Sequence, residues 1–102
     1  ALTGPAAPRG QEHRDAVVMA VEQWKTQNGP MIGGHQIMVV SEDDGCTESD
    51  VTRLAAERLL KQPGLVGVLG PQCSAGAVRT EMIYADAGIV MISGSATATK
   101  LA

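Results

Sequence analysis

The chain has 102 residues, enough for one hydrophobic core and too few for two full-sized domains. Eight Lys and Arg against eleven Asp and Glu give a formal charge of -3, without the basic excess that phosphate-backbone binding needs, so nucleic acid is excluded as a partner class. Hydrophobic residues make up 44% but aromatics only 2%, Trp24 and Tyr84 with no Phe, which leaves an aliphatic core and no set of rings for stacking on bases or sugars.

Residues 1–10, ALTGPAAPRG, carry small residues, Gly and Pro without a period and read as a loop. From Gln11 to Gln27 the apolar residues Val17, Ala20, Val21 and Trp24 recur at i, i+3, i+4 and i+7, the stripe of an amphipathic helix that Asn28-Gly29-Pro30 stops. His35 to Val40 holds the β-branched run Ile37-Met38-Val39-Val40 and reads as a strand ending at Ser41-Glu42-Asp43-Asp44. A second helix, capped by Thr47 or Ser49, places Val51, Leu54, Ala55, Arg58 and Leu59 on one stripe and offers a Glu57–Lys61 pair at i,i+4. Pro63-Gly64 breaks it, and Leu65 to Leu69 is an apolar run of the kind buried on both faces of a parallel sheet. A third helix from Ser74 to Ala87 turns Val78, Met82 and Ala85 inward and ends at Gly88 in the C′ position. Ile89 to Ile92 is another doubly buried strand. Met19, Met38, Met82 and Met91 fall at core-facing or strand positions and read as core filling.

Strands alternating with helices through short connections predict an α/β fold with a parallel sheet and right-handed crossovers. A helix that follows a Gly/Pro loop ordinarily follows a strand as well, yet only Ala1-Leu2 stand where that strand belongs. The expectation is a partial lobe, residues 1–102, that lacks its first strand and leaves unpaired edges open to dimerisation or strand exchange.

In an open parallel sheet, ligands bind beyond the carboxyl ends of the strands, where loops feed helix N-termini. The loops at Thr3–Gln11, Gly70–Gly76 and Ser93–Thr97 are rich in Gly, Ser, Thr and Pro and poor in catalytic side chains. Hydroxyls of Ser74, Ser95 and Thr97, with neighbouring backbone N–H groups, suit a small carboxylate; the same residue types also cap helices. The acidic Asp43-Asp44 pair suits a divalent cation or a phosphoryl group, as in receiver domains or another α/β enzyme. A receiver, however, wants a further Asp and a Lys at strand ends, where this chain has Gly70-Pro71 and Ser93-Gly94, so a solvated cluster at a helix N-terminus is the preferred reading. His13 and His35 match no zinc spacing, and Gly64-x-x-Gly67-x-x-Gly70 lies within a strand instead of after one, so neither a metal nor a dinucleotide is expected. Cys46 and Cys73 both fall just past strand ends on the same rim, which suits a bridge or two buried thiols.

The stretches TGPAAPRGQE at 3–12, AVEQWKTQNG at 20–29, SEDDGCTESD at 41–50, GVLGPQCSAG at 67–76 and IYADAGIVMISGSAT at 83–97 come in the order and spacing of the first lobe of type I periplasmic binding proteins, and the chain resembles their leucine/isoleucine/valine-binding branch. The resemblance implies a three-layer Rossmann-like lobe, with a second lobe outside this chain, that captures an amino acid or similar carboxylate for an ABC permease without cofactor or catalysis. A sensing domain of a receptor with the same fold is the alternative. It implies that Ser74 holds the ligand's α-carboxylate, that Thr97 contacts the α-amino and α-carboxylate groups, and that Ser95, with Ala96 and Cys73 beside these positions, adds backbone contacts. It also implies a Cys46–Cys73 disulfide and hence a periplasmic or extracellular protein, free or lipid-anchored. Arg9 stands where branched-chain binders often carry an aromatic and Gly94 where ISPSAT-like motifs carry Pro. A guanidinium is costly to desolvate beside an aliphatic ligand, so Arg9 points to a polar or acidic ligand or to an arginine turned to solvent.

Overall fold

The computed structural model describes residues 1–46 and 50–101. The order is α1 (Ala7–Asn28), β1 (Met31–Ile32), β2 (His35–Gln36), α2 (Asp50–Leu60), β3 (Gly67–Leu69), α3 (Ser74–Asp86), β4 (Val90–Ile92) and a 3₁₀ turn (Thr99–Leu101). β3 and β4 pair in parallel, with Gly67 opposite Val90, Val68 opposite Met91 and Leu69 opposite Ile92. This is the small parallel sheet of an α/β lobe.

α1 starts earlier than the sequence suggests. Pro8 sits in its first turn, where a fixed φ and a missing N–H cost nothing, so residues 7–10 are helix and not loop. The helix stops at Gly29, whose φ of 86° lets its N–H reach Lys25 O at 2.8 Å. α3 ends as expected: Gly88 takes φ 72°, its N–H bonds Ala85 O at 3.0 Å and the Ile89 N–H bonds Tyr84 O at 2.9 Å, the two bonds of a Schellman motif. Thr47 and Ser49, the expected caps of α2, lie outside the described residues.

Residues 37–40 are not a strand. Instead Met31–Ile32 and His35–Gln36 form a small antiparallel hairpin around Gly33-Gly34, both at positive φ. That Gly-Gly pair was the available signal. The Ile37 N–H still reaches Pro30 O at 3.3 Å, but Met38, Val39 and Val40 have no paired neighbour among the described residues to complete a ladder, so their β propensity goes unused.

The core lies between α2, α3 and the inner face of the sheet. Ala56, Val68 and Tyr84 form its centre, with Leu59, Leu60, Leu65, Ile83, Ile89 and Met91 packed around them. Small residues let the two helices approach. A side chain at Gly76 would stand 3.1 Å from Pro71 Cβ and 3.4 Å from Thr52 Cγ2. Thr52, Ala55 and Ala56 on α2, and Gly76, Ala77, Thr80 and Tyr84 on α3, are therefore the buried positions. Both stripes are rotated from the expected ones, which leaves Val51, Leu54 and Met82 exposed. Thr80 hides its hydroxyl by donating to Gly76 O at 2.9 Å, the intrahelical solution that makes a buried threonine tolerable. Glu57 pairs with Arg53 at 2.8 Å and not with Lys61, because the Arg53 fork one turn earlier already reaches it. That pairing, together with Asp50, raises the Arg53 pKa.

Neither strand is buried on both faces. Val90 and Ile92 are exposed on the outer face of β4, and Val66, just ahead of β3, is 90% exposed. The reason is the position of α1, which stands off the sheet and leaves a cleft of about 360 Å³ lined by Ala20, Val21, Leu69 and Ile92. Met19, Met38 and Met82 are exposed, so of the four methionines assigned to the core only Met91 packs against it.

Candidate functional site

The hydroxyl-bearing loops meet where the sequence placed them. α3 begins at Ser74 after Cys73 at its N-cap, and no side chain caps that end, so the first-turn N–H groups of α3 lack an intrahelical partner. Facing them is the loop that leaves β4. The Ser74 Oγ accepts the N–H of Thr97 at 3.0 Å and of Ala98 at 3.2 Å. Ser95 Oγ donates to Gln72 O at 2.5 Å. Ser93, which sequence reasoning passed over, is the hub. Its hydroxyl donates to Pro71 O at 2.6 Å and accepts the Ala96 N–H at 3.0 Å. Its signal was its place as the first hydroxyl after a strand. Three serines thus stitch the 70–76 and 93–98 loops into one rim, and the Gln72 Oε1 beside them is buried without a hydrogen-bond partner among the described residues.

Arg9 is exposed in the first turns of α1, and no hydrogen bond or ion pair joins it to this rim. A cavity of about 1090 Å³ does not open at Ser74 or Thr97; it lies between α1, α2 and the edge of β3, with Pro71 and Gln72 at its margin.

Cys46 and Cys73 form a disulfide with their Cα atoms 5.3 Å apart, within the usual range. The bridge ties the acidic loop to the N-cap of α3, one residue before Ser74. Cys46 itself takes a left-handed φ of 59° there.

Asp43 and Asp44 are not a free, solvated cluster. Asp43 accepts hydrogen bonds from the Thr3 hydroxyl, from the Leu2 N–H at 2.7 Å and from the Gly45 N–H at 3.2 Å. Asp44 Oδ1 lies 2.8 Å from the Ala1 amino group and accepts the Cys46 N–H at 3.1 Å. These carboxylates pin the start of the chain to the 41–46 loop. Among the described residues there is no group of three or more His, Cys, Asp and Glu placed to hold a metal ion, and no helix is long and apolar enough to cross a membrane.

The Thr3 hydroxyl, with the Leu2 N–H, holds the Asp43 carboxyl down from 3.8 to about 2. A depressed carboxylate favours the fold only while ionised. Its contribution is complete above about pH 4 and disappears as the pH falls through about 2. Acid titration of the Asp43→Asn variant is expected to show a shallower loss of stability across that window than the parent chain. Parallel curves would remove Asp43 from the acid transition.

The chain matches the periplasmic binding protein family over residues 1–102. It is 33% identical over 100 residues to a leucine-, isoleucine-, valine-, threonine- and alanine-binding protein of Pseudomonas aeruginosa, covering 98% of this chain and 26% of that protein. To the Leu/Ile/Val-binding protein of Escherichia coli K12 it is 31% identical over 101 residues, 99% of this chain and 26% of the relative. An amino acid binding protein of Pseudomonas aeruginosa is 30% identical over 95 residues, 93% of this chain and 25% of its own length. The chain therefore spans about a quarter of the length of these relatives. No solved structure matches it. With a parallel α/β lobe, a bridged rim loop and a family match along its whole length, this chain belongs to the periplasmic binding protein family.

Proposed function

We propose that this chain is part of the first, Rossmann-like three-layer lobe of an extracytoplasmic solute-binding protein, and that its serine-rich rim is half of a clamp for the charged head of an amino acid. The observation that carries the reading is the hydrogen bond from the Thr97 N–H to Ser74 Oγ, which brings two separate strand-end loops to the mouth of α3. A carboxylate placed there would meet the Ser74 hydroxyl proton and the unpaired first-turn N–H groups of α3, at the positive end of the helix dipole. Thr97, Ser95 and the Ala96 and Cys73 backbones flank that position. The relatives named for leucine, isoleucine, valine, threonine and alanine supply the ligand class, an amino acid. Arg9, exposed and away from this rim, does not narrow that class. Capture would proceed by closure of a second lobe over this rim, followed by delivery to an ABC permease at the membrane.

The test is calorimetric titration of leucine, threonine, alanine and glutamate into the longer protein that carries this lobe. One of them is expected to bind, and Ser74→Ala is expected to weaken that binding by about tenfold or more, the loss of one charge-assisted hydrogen bond. Unchanged affinity in Ser74→Ala, with the fold intact by circular dichroism, would overturn the assignment.

A further inference from the structure

We infer, resting on that reading of the rim as half of a clamp, that Ser93 is its positioning residue: the hydroxyl touches no ligand, yet it sets where the 95–98 backbone stands against Ser74. β3 and β4 run in parallel as far as Leu69 opposite Ile92, and one further main-chain bond follows, from the Gly70 N–H to Ile92 O at 2.8 Å. Pro71 comes next on the β3 side, and a residue without an N–H cannot continue the ladder. Beyond it the two chains part unless a side chain joins them. Ser93 does so. Its hydroxyl donates to Pro71 O at 2.6 Å and accepts the Ala96 N–H at 3.0 Å and the Ser95 N–H at 3.4 Å, which curls the chain after β4 into a serine turn. Pro71 is itself buried against α3, where a Cβ on Gly76 would stand 3.1 Å from Pro71 Cβ. One hydroxyl therefore ties the 95–98 loop to a point packed on α3, the helix that carries Ser74.

Hydrogen-bonding capacity separates Ser93 from a ligand contact. A serine hydroxyl has one proton and two lone pairs. Ser93 gives its proton to Pro71 O and its lone pairs to two N–H groups, so nothing is left for a ligand. Ser74, by contrast, spends its lone pairs on the Thr97 and Ala98 N–H groups, and among the described residues its proton has no acceptor. Burial then decides which of the bonds between the loops sets their spacing. The Ser95 bond to Gln72 O and the Thr97 bond to Ser74 Oγ are exposed, where water competes for both partners. Those of Ser93 to Pro71 O and the Ala96 N–H are half-buried, so a partner lost there is not readily replaced by water. The loop stands where Ser93 holds it, and the exposed bonds follow.

The test uses the longer protein that carries this lobe, with amide chemical shifts read before any ligand is added and calorimetry with the tightest of leucine, threonine, alanine and glutamate. Ser93→Ala is expected to move the Thr97 and Ala98 amide signals and to weaken binding by about tenfold. Ser93→Thr keeps the hydroxyl and is expected to bring affinity back to within about threefold of the parent. Ser93→Val, the same shape without the hydroxyl, is not, and this pair carries the comparison if the Ala variant does not fold. Combined with Ser74→Ala, the loss is expected to fall short of the product of the two single losses, because Ser93 acts through the groups around Ser74. Unmoved Thr97 and Ala98 signals, equal losses in the Thr and Val variants, or losses that simply multiply would overturn the proposal. If none of the four amino acids binds the parent, the clamp reading falls, and the amide signals alone decide whether Ser93 places the loop.

Discussion

Replacing Cys46 and Cys73 by serine is expected to remove about 3.5 kcal/mol of folding free energy, because the bridge closes a loop across a separation of 27 residues that the unfolded chain otherwise explores freely. For a chain of this size the thermal midpoint should fall by roughly 15 °C. The measurement is denaturant or thermal unfolding of the double variant beside the parent under oxidising conditions. A loss below about 1 kcal/mol would show that the loop is already restrained without the bond. The effect reaches the site as well. Cys73 is the N-cap of α3 and precedes Ser74, so freeing it loosens the rim that Ser74 shares with Thr97.

Tyr84→Ala is expected to cost about 3–5 kcal/mol, the usual range for deleting a large ring from a packed core. Tyr84 is only 2% exposed and stands at the centre of the cluster with Ala56 and Val68, in a chain whose only other aromatic, Trp24, lies on the surface. Tyr84→Phe keeps the ring and separates packing from ionisation. Burial, with the Asp44 charge nearby, pushes the Tyr84 phenol up from 10.0 to about 12. A raised phenol favours the fold only while neutral. Stability is therefore complete below about pH 10 and lost as the pH climbs toward about 12, since the unfolded chain ionises first. The Phe variant should keep most of the parent's stability at neutral pH and lose less of it in alkali. An Ala variant as stable as the parent would mean that the core does not depend on this ring.

Local chemistry carried a large part of the architecture. The punctuation at Asn28-Gly29-Pro30, Pro63-Gly64 and Gly88 sets where helices stop, because φ preferences and missing donors act within a few residues. The parallel arrangement of the last two strands follows from the helix between them, and the hydroxyl rim follows from Ser, Gly and Pro clustering at strand ends. These are short-range consequences of residue type, readable in order along the chain. The same is true of the family resemblance, which rests on motifs whose spacing survives without coordinates.

Burial was another matter. An apolar run shows that a segment is able to be covered, not that anything covers it. Met38, Val39 and Val40 and the outer face of β4 are as hydrophobic as the true core, yet they stay exposed, and on β4 that is because α1 stands off the sheet. The rotation of α2 and α3 toward Thr52, Gly76 and Thr80 likewise comes from how closely two helices approach, a long-range packing choice that periodicity along either helix does not encode. The pairing of Asp43 and Asp44 with residues 1–3 depends in the same way on loops meeting across the fold. Residue identity settled the three helices, where they stop, the last two strands and the residue types of the rim; three-dimensional packing settled whether the 37–40 run became a strand, which apolar faces are covered and which carboxylates find partners.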